Sequence, residues 1–116
     1  MGQALDIVNQ FMQSQNTALL AEDFRFIGPV DQTNGIEAFM KLNQSFFPMV
    51  TGMRMLRQFE NGEDVCSIYE VDVKPPTGDS LTLKIADWVV VKNGNMVEER
   101  LFYDAREYAA IVGQHE

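Results

Sequence analysis

The chain holds one cysteine and one histidine in 116 residues, and these two scarcities remove more chemistry than any motif supplies. Cys66 alone offers no disulfide and no redox pair. His115 alone, next to the last residue, leaves zinc sites and Ser/His/Asp or Cys/His catalysis without their parts. Basic residues are also few, nine Lys and Arg against 17 Asp and Glu, for a formal net charge of -8. They are scattered, so the chain lacks the electrostatic footprint of a nucleic-acid or anionic-membrane binder. No hydrophobic run approaches the roughly 18 residues of a spanning helix, and the N-terminus shows no basic segment followed by an apolar one. The expectation is a soluble, cytoplasmic protein that uses no metal and no other cofactor. Any catalysis falls to carboxylates, tyrosines and arginines.

What is present suits a single domain, residues 1–116, with a core that needs no covalent or metal support. Leu5, Val8, Phe11 and Met12 recur at helical spacing between Ala4 and Gln15. Thr17 to Ala21 reads as one more short turn of helix, and Phe24-Arg25-Phe26 as a short strand ended by Gly28-Pro29. After Asn34-Gly35, a second helix carries Ile36, Phe39, Met40, Asn43, Phe46 and Phe47 on one stripe and stops at Pro48. From Thr51 the period switches to two, with turns at Asn61-Gly62, Pro75 to Asp79 and Asn93-Gly94. Helices first and antiparallel strands after them predict an α+β fold in which helices cover one face of the sheet. Gly113 to Glu116 read as a loose tail.

One strand carries the functional signal. Alternation places Leu81, Leu83, Ile85, Asp87, Val89 and Val91 on one face, which sets a carboxylate in the middle of an apolar row. Burying it bare is prohibitive, so it must be paired, protonated or turned to a cavity. Counting outward from the turns sets Arg57 opposite Cys66, and Cys66 opposite Asp87. A three-residue turn at Lys92-Asn93-Gly94 makes Asp87 face Glu99, with Leu101 and Tyr103 alongside; a two-residue turn brings Arg100 beside it instead. The expected pocket is then lined by Phe11, Phe26, Met53, Met55, Arg57, Glu70, Ile85, Glu99, Leu101 and Tyr103. Asp87 and Asp72 are the candidate acids or bases. Three readings of Asp87 stay open: an ion pair with Arg57 that only fixes the register, a working acid, base or hydrogen-bond donor, or a different register that leaves it exposed. The opposite face gathers Ser67, Tyr69, Thr82, Lys84, Trp88, Val90, Arg100 and Phe102, a mixture suited to a buried interface.

Ala21-Glu22-Asp23-Phe24-Arg25-Phe26, Asn34-Gly35-Ile36-Glu37-Ala38-Phe39 and Val89 through Tyr108, in this order of elements, resemble the nuclear-transport-factor-2-like superfamily. That superfamily includes ketosteroid isomerases, limonene epoxide hydrolases and SnoaL-like polyketide cyclases. The resemblance implies a cone-shaped barrel, a curved antiparallel sheet covered by N-terminal helices, that dimerises through its outer sheet face. It also implies a pocket for a small apolar or carbonyl-bearing molecule, acted on by an isomerase, cyclase or lyase, or merely bound. Asp87 matches the protonated aspartate of the isomerases, while their base and oxyanion tyrosine fall on Gly28 and near Phe11. Asp72 matches the acid of the epoxide hydrolases, whose other positions fall on Glu70, Leu101, Phe26 and Gly28.

Overall fold

Apolar residues three and four apart wind Gln3–Ser14 (α1) into an amphipathic helix that buries Ala4, Ile7, Val8 and Phe11. Gln15 ends it in the left-handed region at φ 54°, its N–H donating to the Phe11 carbonyl. The computed structural model describes residues 2–112; His115 and the expected tail lie outside them. The Asn16 side chain accepts from the Ala18 N–H and starts a single turn of 3-10 helix, Thr17–Leu19. The strand begins earlier than the local pattern suggests, at Leu20, and runs to Ile27 (β1). Its neighbours decide this, because Leu20 and Phe24 are buried in the core while Leu20 pairs with a strand far along the chain.

A short strand, Gln32–Asn34 (β2), returns along β1 and leads into the helix Ile36–Phe46 (α2). Four strands follow: Val50–Asn61 (β3), Asp64–Val73 (β4), Leu81–Lys92 (β5) and Asn95–Phe102 (β6). A short helix, Arg106–Val112 (α3), which the sequence pattern did not announce, closes the described residues. The sheet order is β2-β1-β6-β5-β4-β3, antiparallel except where β1 runs parallel to β6. The α+β expectation holds, and the curved sheet carries α1 and α2 on one face.

The core is organised around Phe39 of α2, whose ring lies 4.7 Å from Phe24, 5.4 Å from Phe26 and 6.1 Å from Phe11. Aromatic rings at these spacings combine burial with favourable edge and offset contacts.

The register differs from the expected one at β4. Its two-residue turn is Gly62-Glu63 rather than Asn61-Gly62, with Gly62 at φ 62° and Asn61 paired with Asp64. Across the next hairpin, Ser67 and not Cys66 opposes Asp87, and Tyr69 opposes Ile85. A slip of one residue turns every side chain of a strand to the other face. Val65, Ser67, Tyr69, Val71 and Val73 therefore point into the core, and Cys66, Ile68, Glu70 and Asp72 point outward.

In β3 a bulge between Met55 and Arg57 reverses the faces midway. Arg57 sits opposite Ile68 on the outer side, exposed, far from the expected ion pair with Asp87. At the last hairpin Asn93-Gly94 is a two-residue turn, but a bulge between Val90 and Val91 follows it, so Asp87 opposes Leu101 and Val89 opposes Glu99. Glu99, Leu101 and Asp87 still share a face. Arg100 instead opposes Trp88 on the outer side.

Because Phe24 is fully enclosed and packs on Phe39, Phe24→Ala is expected to cost about 3–5 kcal/mol of stability. A chemical-denaturation series measures it, and a loss below about 1 kcal/mol would contradict this account of the core.

Candidate functional site

The inner sheet face and the two long helices do not meet in a solid core. They enclose a cavity of about 230 Å³, walled by Val8, Phe11, Met12 and Gln15 of α1, by Phe39, Leu42, Asn43 and Phe46 of α2, and by inward residues of β1, β4, β5 and β6. An apolar cavity of about 150 Å³ already accepts benzene. This one has room for a substituted single ring.

Of the residues expected at the pocket, Phe11, Phe26, Met53, Ile85, Glu99, Leu101 and Tyr103 line it. Met55 and Arg57 do not, because β3 runs along the sheet edge and its bulge turns Arg57 outward. Glu70 and Asp72 are also displaced, by the one-residue slip of β4. They belong to an outer-face network in which Arg54 donates to Glu70 Oε1 at 3.1 Å and to Asp72 Oδ1 and Oδ2 at 2.9 and 2.8 Å. Thr82 Oγ1 adds a hydrogen bond of 2.7 Å to Asp72 Oδ1. Arg54 first, then Thr82, hold the Asp72 carboxyl far below the usual carboxylate range. An acid so stabilised as its anion, and so placed, is unsuited to serve the pocket.

Asp87 is 4% exposed yet does not reach the cavity wall. It lies buried among three inward groups, and Tyr69 Oη donates to its Oδ2 at 2.8 Å. Its Oδ1 has no hydrogen-bond partner among the described residues. The neighbouring carboxyl is Glu99, which can share a proton with Asp87 when one of the two is protonated. Two carboxyls this close and this desolvated cannot both ionise. Desolvation raises Asp87, against the hydrogen bonds from Glu99 and Tyr69. Desolvation and then the Asp87 charge drive Glu99 well above its ordinary value. Burial and the Asp87 charge likewise keep the Tyr69 hydroxyl protonated. Glu99 is the carboxyl of the pair that faces the cavity, and no Lys or Arg lines the cavity among the described residues.

The cavity lining also carries Tyr103, Tyr108, Asp31, Asn43 and Gln15. Tyr103 and Tyr108 meet edge to face at 6.4 Å. Burial, then Tyr108 and Asp31, push the Tyr103 hydroxyl up to about 12. Asn43 donates to Gln15 Oε1 at 3.2 Å, and Gln15 donates to the Phe11 carbonyl at 3.3 Å.

Tyr69 is the site residue that the sequence pattern put on the wrong face. The alternation Val65, Ser67, Tyr69, Val71, Val73 is more apolar than Cys66, Ile68, Glu70, Asp72, and this signal outweighs a count from an uncertain turn. Tyr108 and Asp31 lie in segments without clear periodicity, where no such signal existed.

Residues 5–99 match the family model of the SnoaL-like domain. The chain belongs to the SnoaL-like domain family. Among solved structures, a candidate SnoaL-like polyketide cyclase from Mesorhizobium loti is 26% identical, over 87% of this chain and 96% of that one, with a TM-score of 0.73. An NTF2-like protein of unknown function from Cytophaga hutchinsonii is 23% identical over 90% and 93% of the two chains, again at 0.73. TerC, co-crystallised with polyporic acid, is 12% identical over 96% and 98%, at 0.75. The nuclear-transport-factor-2-like architecture is thus shared across the chain, and the SnoaL-like family places a small-molecule pocket in it. No curated protein matches. Among the described residues, no helix is long and apolar enough to cross a membrane.

The carboxyl pair has a thermodynamic signature. A glutamate whose folded-state pKa lies above its unfolded value of about 4.3 holds a proton that the unfolded chain has already released. Its contribution is complete below that unfolded value and is lost as pH rises through the folded one. The wild type is expected to lose more stability than Glu99→Gln between about pH 5 and pH 8. Denaturation midpoints measured across that range test this, and parallel curves would mean that Glu99 ionises freely.

Proposed function

We propose that the cavity is an acid/base site for a small apolar molecule bearing a carbonyl-type group, and that the protein acts as an isomerase, cyclase or lyase. The observation that supports this most directly is the position of Glu99, a carboxyl facing an apolar cavity with Asp87 behind it and, among the described residues, no Lys or Arg on the wall. An acid tuned upward toward neutral pH can both give and take a proton in the working range. Asp87, held by Tyr69, acts through Glu99, since it does not touch the cavity. The limonene-type hydrolysis route gains no support, because Asp72 is bound to Arg54 on the outer face. The alternative is a binding protein with the same cavity, in which the pair is only a hydrogen-bonding anchor.

Exchange of α-hydrogens for solvent deuterium, followed by proton NMR on a panel of small cyclic ketones and imines, separates the two readings without knowledge of the natural substrate. The expected result is saturable exchange that falls by about 100-fold in Glu99→Gln. Ligands that raise the melting temperature but exchange no faster with wild type than with Glu99→Gln would leave the binding protein as the correct reading.

The outer face supports the expected homodimer. Trp88, with Phe59 and Phe102 beside it, forms one apolar patch around Cys66, the three rings being 39%, 55% and 54% exposed. The Arg100 guanidinium lies 5.7 Å from the Trp88 ring centre, and Trp88 Nε1 donates to Asp64 Oδ1 at 3.0 Å. A patch of this kind, aromatic and edged with charge, is suited to burial against a second copy. Light scattering at micromolar concentration is expected to give a dimer for the wild type and a monomer for Trp88→Glu. A monomeric wild type would overturn the assignment.

A further inference from the structure

The charge pattern of the pocket narrows the class of molecule that the proposed proton transfer would act on. We infer that the electrophile is the nitrogen analogue of a carbonyl, a small cyclic iminium ion, from which Glu99 removes the α-proton. This rests on the proton-transfer reading of the pocket.

Removing an α-proton from a neutral ketone builds an enolate, whose oxygen needs donors aimed at it from the start. No Lys or Arg lines this cavity among the described residues to supply a charged one. The Tyr69 hydroxyl is committed to Asp87 Oδ2 at 2.8 Å, and one N–H of each neighbouring amide is engaged, Gln15 with the Phe11 carbonyl and Asn43 with Gln15 Oε1. Tyr103 lies just past the end of β6, and Asp31 adds negative charge beside it. An enolate formed against Glu99 would also be a second anion next to Asp87. Asp87 Oδ1, on a residue 4% exposed, is already without a donor among the described residues. The whole chain, at a formal charge of -8, repels anions before they reach the cavity and attracts cations.

An iminium ion reverses each of these difficulties. Its positive charge answers the carboxyl pair on entering, and Phe11, Phe26 and Phe39 supply aromatic faces for a cation. As the α-carbon loses its proton, the C–H bond breaks and a new O–H bond forms on the Glu99 carboxylate. The C–H electron pair becomes the enamine C=C, and the C=N pair returns to nitrogen. Cation and carboxylate become a neutral enamine and a neutral acid, a change that a dry, apolar site favours. No oxidant or second reactant is required. Protonation of the enamine at carbon runs the same path backward and permits a shift of the double bond. The volume of about 230 Å³ admits a single substituted ring.

Two probes of matched shape test this, methylpyrroline as the imine and methylcyclopentanone as the ketone, with deuterium exchange read by proton NMR and divided by the rate of each in buffer alone. The expected result is a Glu99-dependent acceleration of the imine at least about tenfold above that of the ketone. A ketone accelerated as strongly as the imine overturns this inference and leaves the proton-transfer reading standing. No Glu99-dependent acceleration of either probe overturns both. A second measurement needs no variant to fold: calorimetric binding of the saturated cation methylpyrrolidine to the wild type. Its affinity is expected to rise with pH as the carboxyl pair gives up its proton, while cyclopentanecarboxylate does not bind. An affinity for the cation that is flat with pH, or no binding, overturns the inference.

Discussion

A carboxyl buried without a cation can be satisfied only by hydrogen bonds, and the arrangement of this sheet follows from that demand at Asp87. Tyr69 donates to one oxygen, and the neighbouring Glu99 carboxyl, when protonated, is the second group able to donate to Asp87. Both partners come from neighbouring strands, so the pairings Tyr69 with Ile85 and Val89 with Glu99 have to hold together. Shifting either strand by one residue would strip Asp87 of a partner and leave an unpaired charge in the core, at a cost of several kcal/mol. The polar cluster therefore acts as a lock on register in the middle of an otherwise apolar wall, where the apolar contacts alone discriminate less sharply between slips.

The same cluster sets the chemistry. Because Tyr69 and Asp87 are turned toward each other, the cavity sees Glu99 with its proton affinity already adjusted from behind. The apolar wall contributes by withholding water, which keeps the pair from ionising fully. Fold membership adds the setting but not the reaction, since SnoaL-like and related domains share an architecture and differ in what lines it. Among the described residues, the wall of this cavity carries Asp31 and Glu99 and no Lys or Arg.

Much of the architecture was legible in the sequence because period-two runs and helical stripes report burial directly. β5 is the best case: every inward residue from Leu83 to Val91 was placed correctly, Asp87 included. Glu99 and Leu101 were legible as neighbours of Asp87 on one face, although their register offset was not, since a bulge after the Asn93-Gly94 turn shifted the pairing. The errors at Arg57, Glu70 and Asp72 have one kind of cause. Faces were assigned by counting from turns, and a turn misplaced by one residue or a bulge in β3 reverses the answer while the composition of the strand remains plausible. The parallel pairing of β1 with β6 had no local signal at all, because nothing in Leu20–Ile27 states which distant strand it will join.

That pairing bears on how the chain is made. β1 is complete when residue 27 is in place, but its partner spans residues 95–102. Until then, Phe24 and Leu20 have only the helices to cover them. Contacts across such a separation are slow to form, because the intervening loop must close before the contact stabilises it. On the ribosome, the first strand of the sheet waits for the last of the six, and until residues 95–102 emerge its apolar side and the edge that β6 will cover remain open to other chains.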